Sequence, residues 1–310
     1  MTVPARLKGD VEPLVRLAEA DMARVDALII ARMQSDVPVI PLLAEHLVAA
    51  GGKRLRPLLT VAAARATGGP VEAAVSLAAA VEFIHTATLL HDDVVDGSEL
   101  RRGKVAAHLI WGAASSVLVG DFLFARAFEL MVETDNMRAL GVLARAAGVI
   151  AEGEVLQLTR AHDITLDRDT YLKIIQAKTA ELFAAAAESG ALGAGADDAL
   201  DYGGAAETLG KNAGDDFREA KVTLPLLIAM ERTGEAEAAF WTRPIDRRDQ
   251  NEDDFRRARA LIVETGALTA TLDEAAAWAD RAKAALDALP DGAWRDALAS
   301  LADFAVSRAA

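Results

Sequence analysis

The stretch HTATLLHDDVVDGSELRRG, from His85 to Gly103, constrains this chain more than any other. It starts as an apolar run and ends in three carboxylates, Asp92, Asp93 and Asp96, followed by Arg101 and Arg102. In a helix successive residues turn by about 100°, so spacings of i, i+1 and i+4 place the three aspartates within one broad face. His85, seven residues before Asp92, returns to nearly the same line. Stacked carboxylates repel one another unless a cation sits among them, and an oxygen-only ligand set suits Mg²⁺. A solvated acidic helix end would be the plainer reading. Against it stand Ile84, Leu89, Leu90, Val94 and Val95, which surround the acids with apolar side chains.

The residues around that stretch favour helices. Hydrophobic residues make up 52% of the chain, aromatics only 5%, and β-branched residues are not clustered. Long periodic segments without a strand–helix alternation point to an all-α protein. Its 310 residues can bury a substantial core. A net charge of −14, from 47 acids and 33 bases, argues against nucleic-acid binding, while a local basic site for phosphate stays compatible. With no cysteine, thiolate catalysis, disulfides and cysteine metal sites are excluded. No uncharged apolar run reaches bilayer length, and MTVPARLKGD lacks the apolar core of a signal peptide, so the expectation is a soluble cytoplasmic protein.

Along the chain, residues 11–35 read as an amphipathic helix with Leu14, Leu17, Met22, Val25, Leu28 and Ile29 on one side. A short helix over 39–50 stops at Gly51 and Gly52, and GGKRLRP follows with Lys53, Arg54 and Arg56. Helices are predicted over 57–67, 71–96, 112–134 and 136–160, with a polar loop at 97–104. Thr170 or Asp169 is the expected N-cap of a helix that runs to Ser189 and carries Lys178 and Thr179. Residues 216–231 read as helical with Pro225 as a bend, and 235–310 as amphipathic helices around a hydrophilic linker, RPIDRRDQNEDD.

A second acidic cluster, Asp197, Asp198 and Asp201, repeats the spacing of the first. Two such faces opposed across a bundle could hold several Mg²⁺ ions, and carboxylate-only ligation argues against zinc and copper. Mg²⁺ shared between a few carboxylates implies a phosphorylated ligand. Lys53, Arg56, Arg101, Arg102, Lys178, Lys211 and Lys221 lie at or near predicted helix ends, where arginine forks and lysine ammonium groups suit phosphate oxygens.

GGKRLRP, LLHDDVVDGSELRRG, KTAEL, DDALD and GKNAGDDFREAKVTLP occur in the order found in the trans-type isoprenyl diphosphate synthases, the polyprenyl synthetase family. The chain resembles that family from about residue 11 to 308, and long-chain octaprenyl and decaprenyl members in particular. The resemblance implies a single all-helical domain over 1–310, an antiparallel bundle around a central cavity. It implies that Asp92, Asp93 and Asp96, with Asp197, Asp198 and Asp201, hold Mg²⁺ against an allylic diphosphate. Arg101, Lys178, Thr179, Lys211 and Lys221 would contact that diphosphate. Lys53, Arg56, His85 and Arg102 would hold isopentenyl diphosphate. Asp215 and Asp216 would extend the acidic wall or cap a helix. The reaction would then be ionisation of the allylic diphosphate and attack by the isopentenyl double bond. A homodimer is implied as well, and contact with a membrane surface for product release is compatible with it.

On the same footing the growing product runs from the first acidic motif past Thr88 and Ala87 towards Phe83 and Ile84. Small residues at 87 and 88 leave that tunnel open, which predicts a long product, about C40 to C50, for a quinone side chain. The stretch from Lys178 to Asp197 is shorter than the family pattern and lacks its Phe-Gln pair. Either a helix is deleted there or the sequence skips residues of a longer parent; the intact flanking motifs favour the second. Ala220 stands where the family usually has glycine. A shorter-chain synthase, a terpene cyclase or head-to-head synthase of the same fold, and a non-catalytic subunit of a heteromeric synthase are the alternatives. Lys53, Arg56 and His85 argue against the cyclase, which has no second diphosphate to hold.

Overall fold

In the computed structural model, which describes residues 9–49, 54–101, 103–161, 163–194, 222–234, 237–246 and 251–307, the apolar periodicities become packed helix faces. Helix α1 (Glu12–Arg32) buries Leu14, Ala18, Val25 and Ile29 at helical spacing, and Pro13 sits in its first turn, where no backbone donor is needed. Leu17, expected on that face, is instead exposed. Next come α2 (Val39–Ala49), α3 (Leu55–Ala66) and α4 (Glu72–Val95).

Every residue of α4 from Leu77 to Ile84 is buried, so the helix has no wet side there. Helices apolar all round belong in the middle of a fold. Around it pack α1, α3, α6 (Ala113–Glu133) and α9 (Glu181–Gly193). By length and composition alone α4 could cross a bilayer, its most apolar stretch having a mean hydropathy of 1.6, but Glu82 interrupts it, so the run is not an uncharged one of bilayer length. Its wrapping by four helices accounts for that apolarity. The fit against α9 is tight: a Cβ at Gly190 would lie 2.1 Å from the carbonyl oxygen of Thr60 on α3, so only glycine lets α9 settle on α3.

After α4 the polar loop expected at 97–104 contains a two-residue antiparallel hairpin, β1 (Leu100–Arg101) and β2 (Lys104–Val105), with Arg101 opposite Lys104. Short α5 (Ala107–Trp111) leads into α6, and α7 (Met137–Thr159) follows. Helix α8 (Arg168–Ile175) is capped by Asp167, not Thr170 or Asp169, and both carboxylate oxygens accept from Thr170 at 2.8 Å. It continues through a π-helical turn (Gln176–Ala180) into α9.

Helices α10 (Leu224–Thr233), α11 (Ala238–Trp241), α12 (Glu252–Glu264), α13 (Ala267–Ala285) and α14 (Ala293–Ser307) complete the described chain. Pro225 does not bend a helix: α10 begins at Leu224, which puts the proline in its first turn. At the end of the linker RPIDRRDQNEDD, Asn251 caps α12 and exchanges hydrogen bonds with Asp254. Leu226, Leu227, Ile228, Trp241, Ile245 and Leu261 form a second apolar cluster, with Tyr171 and Leu166 packed against it.

Candidate active site

The end of α4 sorts its three aspartates by direction. One step of about 100° separates Asp93 from Asp92, whereas Asp96 returns to within about 40° of Asp92. Asp93 therefore points inwards and is only 1% exposed. Its Oδ1 accepts from Arg101 Nε at 2.9 Å and also from Arg101 Nη2, while its Oδ2 is buried without a hydrogen-bond partner among the described residues. The hairpin thus folds back to place an arginine against the helix it follows. Burial alone would lower the Arg101 pKa; the Asp93 hydrogen bond and the charges of Asp93, Asp92 and Asp96 hold it above its ordinary value.

Asp92 faces across to α7 and the π-helical turn. Lys178 Nζ lies 2.7 Å from Glu154 Oε2 and 3.4 Å from Asp92 Oδ2, so one ammonium bridges acids from two helices. Local sequence explains how these elements come so close. A Cβ at Gly153 would sit 2.7 Å from the Ala177 Cβ, so glycine beside Glu154 lets α7 approach the turn that carries Lys178 and half-buried Thr179. The extra residue in a π turn re-aims the side chains around it, a device frequent at functional sites.

Burial pushes the Asp92 carboxyl up, against the charge of Lys178 and with the help of Asp96. Burial also raises Glu154, reinforced by the charge of Asp92. Among the described residues the cluster therefore carries more like charge than one lysine settles. Among the described residues no three acids or histidines converge as a closed metal-ligand set. Asp92 and Asp96 instead form an open, all-oxygen pair, a donor set that fits Mg²⁺, which keeps waters and takes further oxygens from a phosphorylated ligand.

About two turns earlier on α4, His85 meets the start of α3: its Nε2 is 3.3 Å from Arg56 Nη1. The Arg56 guanidinium also stacks over the Phe183 ring, 4.1 Å from its centroid. Thr88 donates its hydroxyl to the His85 carbonyl at 2.8 Å, and Ala87 is fully buried in the core cluster that includes Phe83. Of the expected site residues, Lys53, Arg102, Asp197, Asp198, Asp201, Lys211 and Lys221 lie outside the described residues, as do Asp215, Asp216 and Ala220.

Sequence reasoning missed Glu154 and Phe183. Glu154 left a faint signal, an acid four residues after buried Ile150 and beside buried Gly153, on the inward phase of an apolar helix. Phe183 left none, since its neighbour Arg56 is far away in sequence.

A family model described as "Polyprenyl synthetase" matches residues 37–197 and 195–262, two blocks that meet where the stretch before the second acidic cluster is short. The octaprenyl diphosphate synthase of Escherichia coli K12 is 43% identical, over 96% of this chain and 99% of its own. The crystal structure of a polyprenyl synthase from Caulobacter crescentus CB15, complexed with calcium and isoprenyl diphosphate, superposes with a TM-score of 0.90 at 68% identity, covering 98% of this chain and 99% of that one. A decaprenyl diphosphate synthase from Rhodobacter capsulatus gives 0.88 at 50% identity, with 96% and 99% covered. Relatives named for short-chain or geranylgeranyl products match at 32–33%.

Proposed function

The chain belongs to the polyprenyl synthetase family, and from that premise we propose how its residues carry out long-chain polyprenyl diphosphate synthesis. It is a prenyltransferase that joins isopentenyl diphosphate to an allylic diphosphate, and the long-chain identity of its nearer relatives favours an octaprenyl to decaprenyl product. The observation that carries the site reading is Lys178 bridging Asp92 and Glu154, a cation and an open acidic pair brought to one place by three separate elements.

Asp92 and Asp96, with Asp197, Asp198 and Asp201, would hold Mg²⁺, while Asp93, expected among these ligands, is instead read as the partner that orients Arg101; the calcium and isoprenyl diphosphate bound by the Caulobacter relative support a divalent cation. Bound there, Mg²⁺ would supply Lewis-acid stabilisation to the departing pyrophosphate. Lys178, Thr179, Lys211 and Lys221 contact the same diphosphate, and Arg101 joins them with its fork oriented by Asp93. As the allylic C–O bond breaks, its electron pair leaves on pyrophosphate, and these cations offset the charge. Lys53, Arg56, His85 and Arg102 hold isopentenyl diphosphate while its double bond attacks the allylic carbon to form the new C–C bond. The proton then lost passes to pyrophosphate, so no protein nucleophile is needed. Apolar walls keep water from the cation, and Ala87 and Thr88 admit the growing chain.

We further propose a homodimer formed through α6, whose Leu118, Phe128 and Val132 make an exposed apolar stripe at helical spacing. Light scattering should give twice the chain mass; a monomer at micromolar concentration would remove this proposal. Water-soluble substrates support catalysis in the cytoplasm, with delivery of the product to a membrane for attachment to a quinone. Mg²⁺, radiolabelled isopentenyl diphosphate and a farnesyl or geranylgeranyl primer test the whole scheme, and labelled long-chain product is expected. Primer consumed without label would indicate a cyclase. No reaction would favour a non-catalytic subunit, the reading kept in play by the short stretch before Asp197, where the two blocks of the family match meet.

A further inference from the structure

Arg54, just before α3, has φ +43° and ψ +42°, in the left-handed region that residues bearing a Cβ rarely adopt. Among the described residues only Asp135 shares this with it outside glycine, and a short aspartate tolerates the region better than arginine does. Such a conformation persists where the surroundings over-determine it. Here they do. Arg54 Nε lies 2.8 Å from Asp26 Oδ1 of α1, and Nη1 donates to Glu82 Oε1 of α4 at 3.0 Å. Glu82 is one of the few charged residues in the core, 7% exposed, where removing its cation would leave a buried charge short of compensation. The Arg54 carbonyl also accepts the first helical hydrogen bond of α3, from Leu58 N at 2.9 Å.

The clamp and the candidate diphosphate pair occupy the same two elements. Glu82 and His85 are three residues apart on α4, neighbouring positions on a helix surface, while Arg54 and Arg56 flank the first residue of α3. The rotation of α3 about its start therefore sets where Arg56 meets His85. We propose that Arg54 is a positioning residue for isopentenyl diphosphate: its clamp to Asp26 and Glu82 fixes the start of α3 so that Arg56 is presented beside His85. This rests on the reading of Arg56 and His85 as the isopentenyl diphosphate pair.

Steady-state KM values for both substrates, with thermal melts, in Arg54→Ala, Arg54→Gly and Arg54→Ala/Glu82→Gln test it, with Arg56→Ala as the reference. Glycine separates backbone strain from the clamp, because it keeps the left-handed turn and loses the ion pairs. The expected result is a KM for isopentenyl diphosphate raised about tenfold in both single Arg54 variants. The allylic KM should stay near wild type, and the double variant should be no worse than Arg54→Ala, the non-additivity of one shared interaction. Wild-type KM in Arg54→Gly, or equal loss for both substrates in step with a lowered melting temperature, would overturn the proposal. If Arg56→Ala raises the KM for isopentenyl diphosphate and the Arg54 variants do not, the clamp alone is refuted and the site stands. If Arg56→Ala leaves it unchanged, the site reading fails and the clamp proposal falls with it.

Discussion

Helix α4 carries two charged regions seven residues apart, and they are built on opposite principles. Around His85 the charges are already matched: Arg54 is paired with Glu82 and Asp26, and Arg56 is stacked on Phe183 beside the histidine. Around Asp92, among the described residues, acids outnumber the cations beside them. Asp92, Asp96 and Glu154 share one sign, Lys178 stands between two of them, and burial raises both Asp92 and Glu154. The first region is preorganised by the protein's own ion pairs and can receive an anion as it stands. Among the described residues the second keeps a surplus of negative charge that a divalent cation would relieve. On the proposed reading, one helix would keep two anionic substrates about 10 Å apart, as seven residues at about 1.5 Å of rise require, with only one region depending on metal.

The largest expected effect breaks the second region alone. Asp92→Asn keeps the shape and removes one carboxylate charge from the open pair, so elongation at saturating substrate should fall about 10³-fold, the scale of losing transition-state charge stabilisation. The KM for isopentenyl diphosphate should hardly move. Should that KM rise as far as it does in Arg56→Ala, the two regions are one electrostatic unit and the comparison fails.

Much of this arrangement was legible in the sequence, for local reasons. The wrapped core of α4 follows from its apolar run, and the acids at its end from a spacing that a helix reads directly. The split between Asp93 and the Asp92–Asp96 pair follows from the 100° step, which the broad-face description blurred. What stayed hidden depends on contacts between distant segments. Glu154 acquires a partner only because α7 crosses the π turn at Gly153, and nothing in QAKTA announces that turn. Asp167 outcompeted Thr170 as the cap because its carboxylate accepts from both the backbone and the hydroxyl of Thr170, whereas a cluster of Asp and Thr leaves the choice open. The role of Arg54 is illegible for the same reason, since its acids come from α1 and α4.

A middle-sized effect probes the wall between the regions. Ala87 lies on α4 between His85 and Asp92 and is fully buried. Ala87→Phe should shift the product to shorter chains, read by chromatography, while the KM values of both substrates stay near wild type. A much larger side chain at this buried position costs about 1–3 kcal/mol where neighbours must shift, so a lowered melting temperature is expected alongside. An unchanged product distribution from a folded variant would show that the growing chain takes another path.

The smallest effect reads the surplus charge itself. Glu154 and Asp92 have pKa values raised from their ordinary values in the folded protein, by burial first and, for Glu154, next by the charge of Asp92. A carboxyl raised in this way binds a proton more readily folded than unfolded within the window between its two pKa values. Stability therefore falls as pH rises through that window and stays at the lower level above it. Metal-free protein should gain melting temperature as pH is lowered from neutral into the range just above the ordinary carboxylate values. Asp163, Asp167 and Glu133, whose pKa values are lowered, reverse the trend only at more acidic pH. Glu154→Gln has no proton to take up there and relieves Asp92 of a like charge, so it should melt higher at neutral pH and lose part of the gain on acidification. Adding Mg²⁺ and pyrophosphate at neutral pH should raise the wild-type melting temperature more than it does below that window, where the acids are already protonated. Wild-type and Glu154→Gln melting curves that run parallel across the window would mean that this end of α4 carries no surplus charge, and the contrast with the His85 end would disappear.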